Sequence, residues 1–130
     1  MILVDTSIWV DHLGRSGETT LQALLKEGQV LTHPFIIGEL AMSNLSKREM
    51  VLESLMVLPS AKLVAMDEAL HLLHQAQLYG MGIGYIDLHL LSSTRLTQGT
   101  SLWTRDKRLL QACVKAGVKA GVQTFVPNSQ

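Results

Sequence analysis

Short apolar runs alternate with longer stretches in which apolar residues recur every three or four positions, a pattern that predicts strands and helices taking turns along the chain. Ile2-Leu3-Val4 is the first strand, apolar throughout as a buried central strand must be. It ends at Asp5-Thr6-Ser7, three residue types that cap helices, ahead of Ile8-Trp9-Val10. A helix over about Thr19 to Lys26 stops at Gly28, and Gln29-Val30-Leu31-Thr32 forms the second strand. Pro34 suits the first turn of a helix through Phe35, Ile36, Glu39 and Leu40, where its missing N–H costs nothing.

Ser46-Lys47-Arg48-Glu49 matches a capping box and predicts a helix to about Leu58, stopped by Pro59. Lys62-Leu63-Val64-Ala65 is the third strand candidate. Asp67 then caps a helix carrying Leu70, Leu73, Ala76 and Leu78, which Gly80 ends. After the loop Gly80-Met81-Gly82-Ile83-Gly84 comes a helix with Ile86, Leu90, Leu91 and Leu96. Leu102-Trp103-Thr104 is the fourth strand, Asp106 begins a helix to Ala116, and Thr124-Phe125-Val126 closes the chain as a last strand. The expected fold class is α/β, on a parallel sheet of four to five strands.

Composition narrows this picture. With 130 residues and 47% hydrophobic content the chain is expected to fill one core as a single domain over residues 1–130. Eleven Lys and Arg balance eleven Asp and Glu, so any nucleic-acid site must be local. Charged residues are 17% of the chain and mean hydropathy is +0.22, which argues against disorder and for apolar surface shared with a partner. Cys113 stands alone, which rules out an internal disulfide and fits a reduced, cytoplasmic setting. No segment reads as a signal peptide or a membrane span. Phosphate-binding loops and serine-nucleophile motifs are missing too.

The acids carry the chemistry. Asp5 and Asp106 each follow an apolar strand, and in open α/β sheets ligands gather at the carboxyl ends of strands. Glu39 and Asp87 each interrupt an apolar helix start. Taken singly, each also reads as a cap or an exposed helical acid. As a set they fit a pocket for Mg²⁺ or Mn²⁺, because crowded carboxylates repel unless a cation neutralises them. His71 and His74 share a helix face without the further ligands of a zinc site. His89 should point off the pocket face, whereas His33, at a strand end, is near enough to approach the cleft.

Val4-Asp5-Thr6-Ser7-Ile8-Trp9, Ile36-Ile37-Gly38-Glu39-Leu40, Ile86-Asp87-Leu88-His89-Leu90-Leu91 and Leu102-Trp103-Thr104-Arg105-Asp106-Lys107 together resemble, in order and separation, the motifs of PIN-domain ribonucleases. Within that family the resemblance is nearest to the VapC toxins of bacterial type II toxin–antitoxin pairs, and it covers nearly the whole chain.

The resemblance implies a three-layer α/β/α sandwich with the first and fourth strands side by side. It implies that Asp5, Glu39, Asp87 and Asp106 hold Mg²⁺ or Mn²⁺, with Thr104 ordering the pocket and Thr6 and Ser7 supporting Asp5. Relatives often carry a further acid where this chain has Arg108, so four carboxylates rather than five are expected here. The implied activity is metal-dependent endonucleolytic cleavage of RNA, in a cytoplasmic homodimer restrained by a cognate antitoxin whose C-terminal segment lies across the pocket. Arg105, Lys107 and Arg108, which flank Asp106, are the expected RNA contacts. The acids specify metal and phosphoryl chemistry without naming the polymer. A phosphatase, a DNA nuclease, or a degenerate module that only holds RNA or a partner stays open.

Overall fold

The structure, a computed structural model, describes residues 1–14 and 17–122. Its centre is a strand of three residues, β1 (Ile2–Val4), with every side chain buried. β2 (Val30–Leu31) and β3 (Ser101–Trp103) flank it in parallel, giving the order β2-β1-β3. Ile2 sits opposite Val30 on one side and Ser101 on the other, and Val4 opposite Trp103. A strand covered on both faces gains from being apolar throughout, since each buried aliphatic side chain contributes roughly 1.5–3 kcal/mol.

Seven helices flank the sheet among the described residues: α1 (Thr6–Gly14), α2 (Thr19–Lys26), α3 (Pro34–Ala41), α4 (Arg48–Met56), α5 (Met66–Gln75), α6 (Tyr85–Leu96) and α7 (Lys107–Ala116). Leu3, Ile8, Leu21, Ile36, Leu90, Leu91, Leu102 and Leu109 are fully buried in one core. None of the helices described is long and apolar enough to cross a membrane.

Among the described residues the sheet has three strands rather than the four to five expected, with a single bridging residue at each sheet edge. Thr32 pairs with Ser60 and Leu102 with Ala120. Lys62-Leu63-Val64-Ala65 is not a strand: the Lys62 N–H donates to Thr97 Oγ1 at 2.9 Å, and Leu63 projects into solvent. Thr124-Phe125-Val126 lies outside the described residues.

The Ser46 capping box does not form either. Helix α4 begins at Arg48, behind Lys47 in the left-handed conformation (φ 52°), with no side chain capping it. The start of α4 is tied instead to the end of α3, because the Arg48 guanidinium donates to the carbonyls of Ala41 and Ser43. Helix α5 is capped at Ala65, whose N–H donates to Glu68, with Asp67 inside the first turn. It ends before Gln77 (φ 56°) rather than at Gly80.

Candidate active site

From β1 the chain runs through α1 and α2 to β2 on one side, and later returns to β3 on the other. The strand order therefore reverses at β1, and in open α/β sheets it is beyond the carboxyl ends of strands at such a point, here β1 and β3, that ligands bind. Asp5 leaves β1 there, its N–H donating to the Trp103 carbonyl at 2.9 Å. Thr104 and Asp106 leave β3 at the same end.

Buried Asp5 is the hub. Its Oδ2 accepts hydrogen bonds from Thr104 Oγ1 (2.7 Å) and Ser7 Oγ (3.1 Å). Those hydroxyls accept in turn from the backbone of the β3–α7 turn: the Asp106 N–H donates to Thr104 Oγ1 at 3.1 Å and the Arg105 N–H to Ser7 Oγ at 3.2 Å. Two hydroxyls thus lock the first strand's acid to the turn carrying the last. Thr6 reaches elsewhere, donating to Glu39 Oε1 at 2.6 Å and fixing α3 against the start of α1.

The other acids are held by helix starts. Asp106 caps α7, accepting from the N–H groups of Arg108 and Leu109 at 2.9 and 3.3 Å through Oδ1. Asp87 is the third residue of α6 and accepts from the Gly84 N–H at 3.3 Å. Burial raises the Asp87 pKa above 3.8; the Gly84 hydrogen bond opposes this, and the charges of Asp5, Asp106 and Glu39 reinforce it. Asp87 therefore lies within electrostatic reach of the other three acids singled out in the sequence. Among the described residues no cation pairs with any of them, since the ion pairs present are those of Arg105.

This donor set fits a hard divalent ion: carboxylate oxygens crowded enough to repel, with no cationic side chain to neutralise them. The acids do not close into a finished cage, because no three acid, histidine or cysteine groups converge on one point among the described residues. A groove of about 480 Å³ lined by Asp67, His71, Ser92 and Arg95 includes none of the four.

The basic residues divide. Arg105 turns away from the crevice into ion pairs with Asp11 on α1 and Glu18 ahead of α2, which stabilise its charged form. Lys107 is exposed at the start of α7. Arg108 lies over the loop before α6, where a side chain added at Gly82 would come within 3.0 Å of it. Sequence reasoning missed Asp11 and Glu18, and no local signal marks them.

It did not single out Phe35 and Tyr85, which pack on two buried histidines. His33 is buried, and its Nδ1 caps α3 by accepting from the Phe35 N–H at 3.0 Å. Burial, with some repulsion from His89, lowers the His33 pKa to about 4, so this ring is neutral at pH 7. His89 is buried against Phe35 and Tyr85.

A parallel sheet flanked by helices, with Asp87 in electrostatic reach of Asp5, Glu39 and Asp106 near the point where strand order reverses, defines the class of domain. The chain belongs to the PIN domain family, whose model matches residues 2–115. It is 44% identical over 118 residues to Ribonuclease VapC32 of Mycobacterium tuberculosis, in both the CDC 1551 / Oshkosh and the ATCC 25618 / H37Rv strains, with 91% of this chain and 94% of that protein aligned. The crystal structure of FitAcB from Neisseria gonorrhoeae matches over the full length of both chains, with a TM-score of 0.64 at 19% identity, a likeness of fold.

Proposed function

We propose that this protein is a divalent-metal-dependent endoribonuclease, the toxin of a type II toxin–antitoxin pair, acting through Asp5, Glu39, Asp87 and Asp106. The observation that carries the reading is the meeting of four carboxylates without a cationic partner, in a PIN domain closely related to a ribonuclease. When bound, Mg²⁺ or Mn²⁺ supplies Lewis-acid activation of water and stabilises charge on the phosphate.

The chain's own groups do the positioning. Asp5, fixed by Thr104 and Ser7, and Asp106, fixed by the α7 N–H groups, present their remaining oxygens at set positions. Thr6 restrains Glu39. Asp87, holding its proton more tightly than an ordinary aspartate, is the acid whose charge state answers most to what enters the crevice.

The test is cleavage of single-stranded RNA by purified protein with Mg²⁺, with Mn²⁺, with EDTA, and with an Asp106→Asn control. Asparagine caps helices as well as aspartate does, so this variant keeps α7. Cleavage lost in EDTA and in the variant is expected. Equal cleavage by variant and wild type would refute the assignment, and metal-dependent hydrolysis confined to duplex DNA or phosphate monoesters would move it to another polymer.

Lys107 and Arg108 are the RNA-binding residues of this reading; Arg105, already paired with two carboxylates, is a clamp. Lys107→Glu is expected to flatten the dependence of log binding constant on log salt by about 0.7, the slope that one neutralised phosphate of a single strand supplies. Arg105→Ala should leave that slope alone. A flattened slope in Arg105→Ala would return it to the RNA-binding surface.

The reading includes a cytoplasmic homodimer and an antitoxin whose C-terminal segment presents a basic side chain to the acids. Copurification of a small co-encoded protein that suppresses cleavage is its signature.

A further inference from the structure

Aromatic side chains are scarce, at two each of Phe, Tyr and Trp, yet two of them stand exposed on the helices that carry Glu39 and Asp87. Phe35 is 38% and Tyr85 49% exposed. Phe35 and Glu39 are four residues apart on one face of α3, a rise of about 6 Å. Tyr85 opens α6, two residues before Asp87.

The two rings are braced from beneath. Phe35 packs on His33 and His89 with ring centroids 5.0 and 5.1 Å apart, and Tyr85 packs edge-on against His89 at 4.5 Å. Both imidazoles are buried, at 2% and 5% exposure, and serve as a packed bed for the two rings. Ring positions are thereby fixed in advance, which lowers the entropic cost of placing a ligand on them.

We infer that Phe35 and Tyr85 form a stacking platform for a nucleobase of single-stranded RNA next to the bond cut, an inference that rests on the ribonuclease reading. The carboxylates whose charges meet at Asp87 repel a phosphate backbone, so stacking adds affinity there that charge does not supply. Base stacking on aromatic rings provides it, and because every base has a π-face it is tolerant of sequence. One helical turn between Phe35 and Glu39 matches the reach from a backbone phosphate to the base it carries.

The experiment measures binding in Mg²⁺ by fluorescence anisotropy in the Asp106→Asn background, using a labelled single-stranded RNA and the same strand with abasic sites. Phe35→Leu and Tyr85→Leu keep apolar bulk and remove the ring. Each leucine variant is expected to weaken binding of the intact strand about tenfold and leave the abasic strand unchanged, whereas Tyr85→Trp, which keeps a ring, should bind the intact strand as the unsubstituted protein does. Equal weakening on both strands, or none, would overturn the platform. So would leucine variants that convert a dimer to a monomer in sedimentation, since the rings would then face a second copy of this chain. If the unsubstituted protein neither binds nor cuts either strand, the ribonuclease reading itself has failed.

Discussion

Asp87→Asn is expected to abolish RNA cleavage and at the same time make the metal-free protein more resistant to heat. The loss of activity follows from removing one carboxylate of the set proposed to hold the ion. Charge stabilisation by a bound metal contributes several kcal/mol, so turnover should fall on the order of 10³-fold. The gain in stability follows from Asp87 being the acid on which burial and the charges of Asp5, Asp106 and Glu39 converge. Its pKa is raised above 3.8 in the folded chain, so the native state holds this proton more tightly than the unfolded state. Stability therefore falls as pH climbs from 3.8 through the native value and stays lowered at neutral pH. Asparagine removes that dependence, and its carbonyl can still accept from the Gly84 N–H. A divalent ion should raise the melting temperature of the wild type and leave the variant unmoved. Melting curves at about pH 4.5 and about pH 7.5, with EDTA and with Mg²⁺, test all of this. A variant that melts below the wild type in EDTA at neutral pH would show that Asp87 is not held under repulsion.

Asp5→Ala should behave in the opposite sense, losing cleavage and stability together. Asp5 is 7% exposed and accepts two hydroxyl hydrogen bonds on one oxygen. Truncation leaves the buried Thr104 hydroxyl and the half-buried Ser7 hydroxyl without their acceptor, at roughly 1–3 kcal/mol for each donor stranded. The damage also spreads, because those hydroxyls hold the N–H groups of Arg105 and Asp106. We expect a loss of about 2–4 kcal/mol in urea unfolding at neutral pH in EDTA. An unchanged midpoint would mean that the hydroxyls find other partners and that Asp5 is not the hub described.

Much of this arrangement is legible in the sequence, and its gaps have physical causes. Apolar runs at Ile2–Val4 and around Leu102 mark strands because a central parallel strand is buried on both faces. Lys62–Ala65 misleads because a short apolar run does not make a strand without a neighbour to pair with, and the chain leaves the sheet after Ser60. The acids stand out because they sit where solvated acids are not needed. That they meet depends on strand order, which composition and spacing do not encode and which the family resemblance supplied. Arg105 looks like a substrate contact from its place beside Asp106, but its partners lie 94 and 87 positions back along the chain. The platform rings went unseen for a similar reason: Phe35 and Tyr85 come together only through packing on His89.

The hydrogen bond from Thr104 to Asp5 spans 99 positions, and β1 has no partner on that side until β3 exists. Contacts this distant in sequence form late, since the closure entropy of the intervening chain must be overcome first. During synthesis the first acid emerges early and waits, while the residues that orient it and the acid that completes the crevice are still to be made. A nascent chain on the ribosome therefore carries no assembled cleavage centre. For an enzyme proposed to destroy RNA, the order of translation itself shields the message and the ribosome producing it.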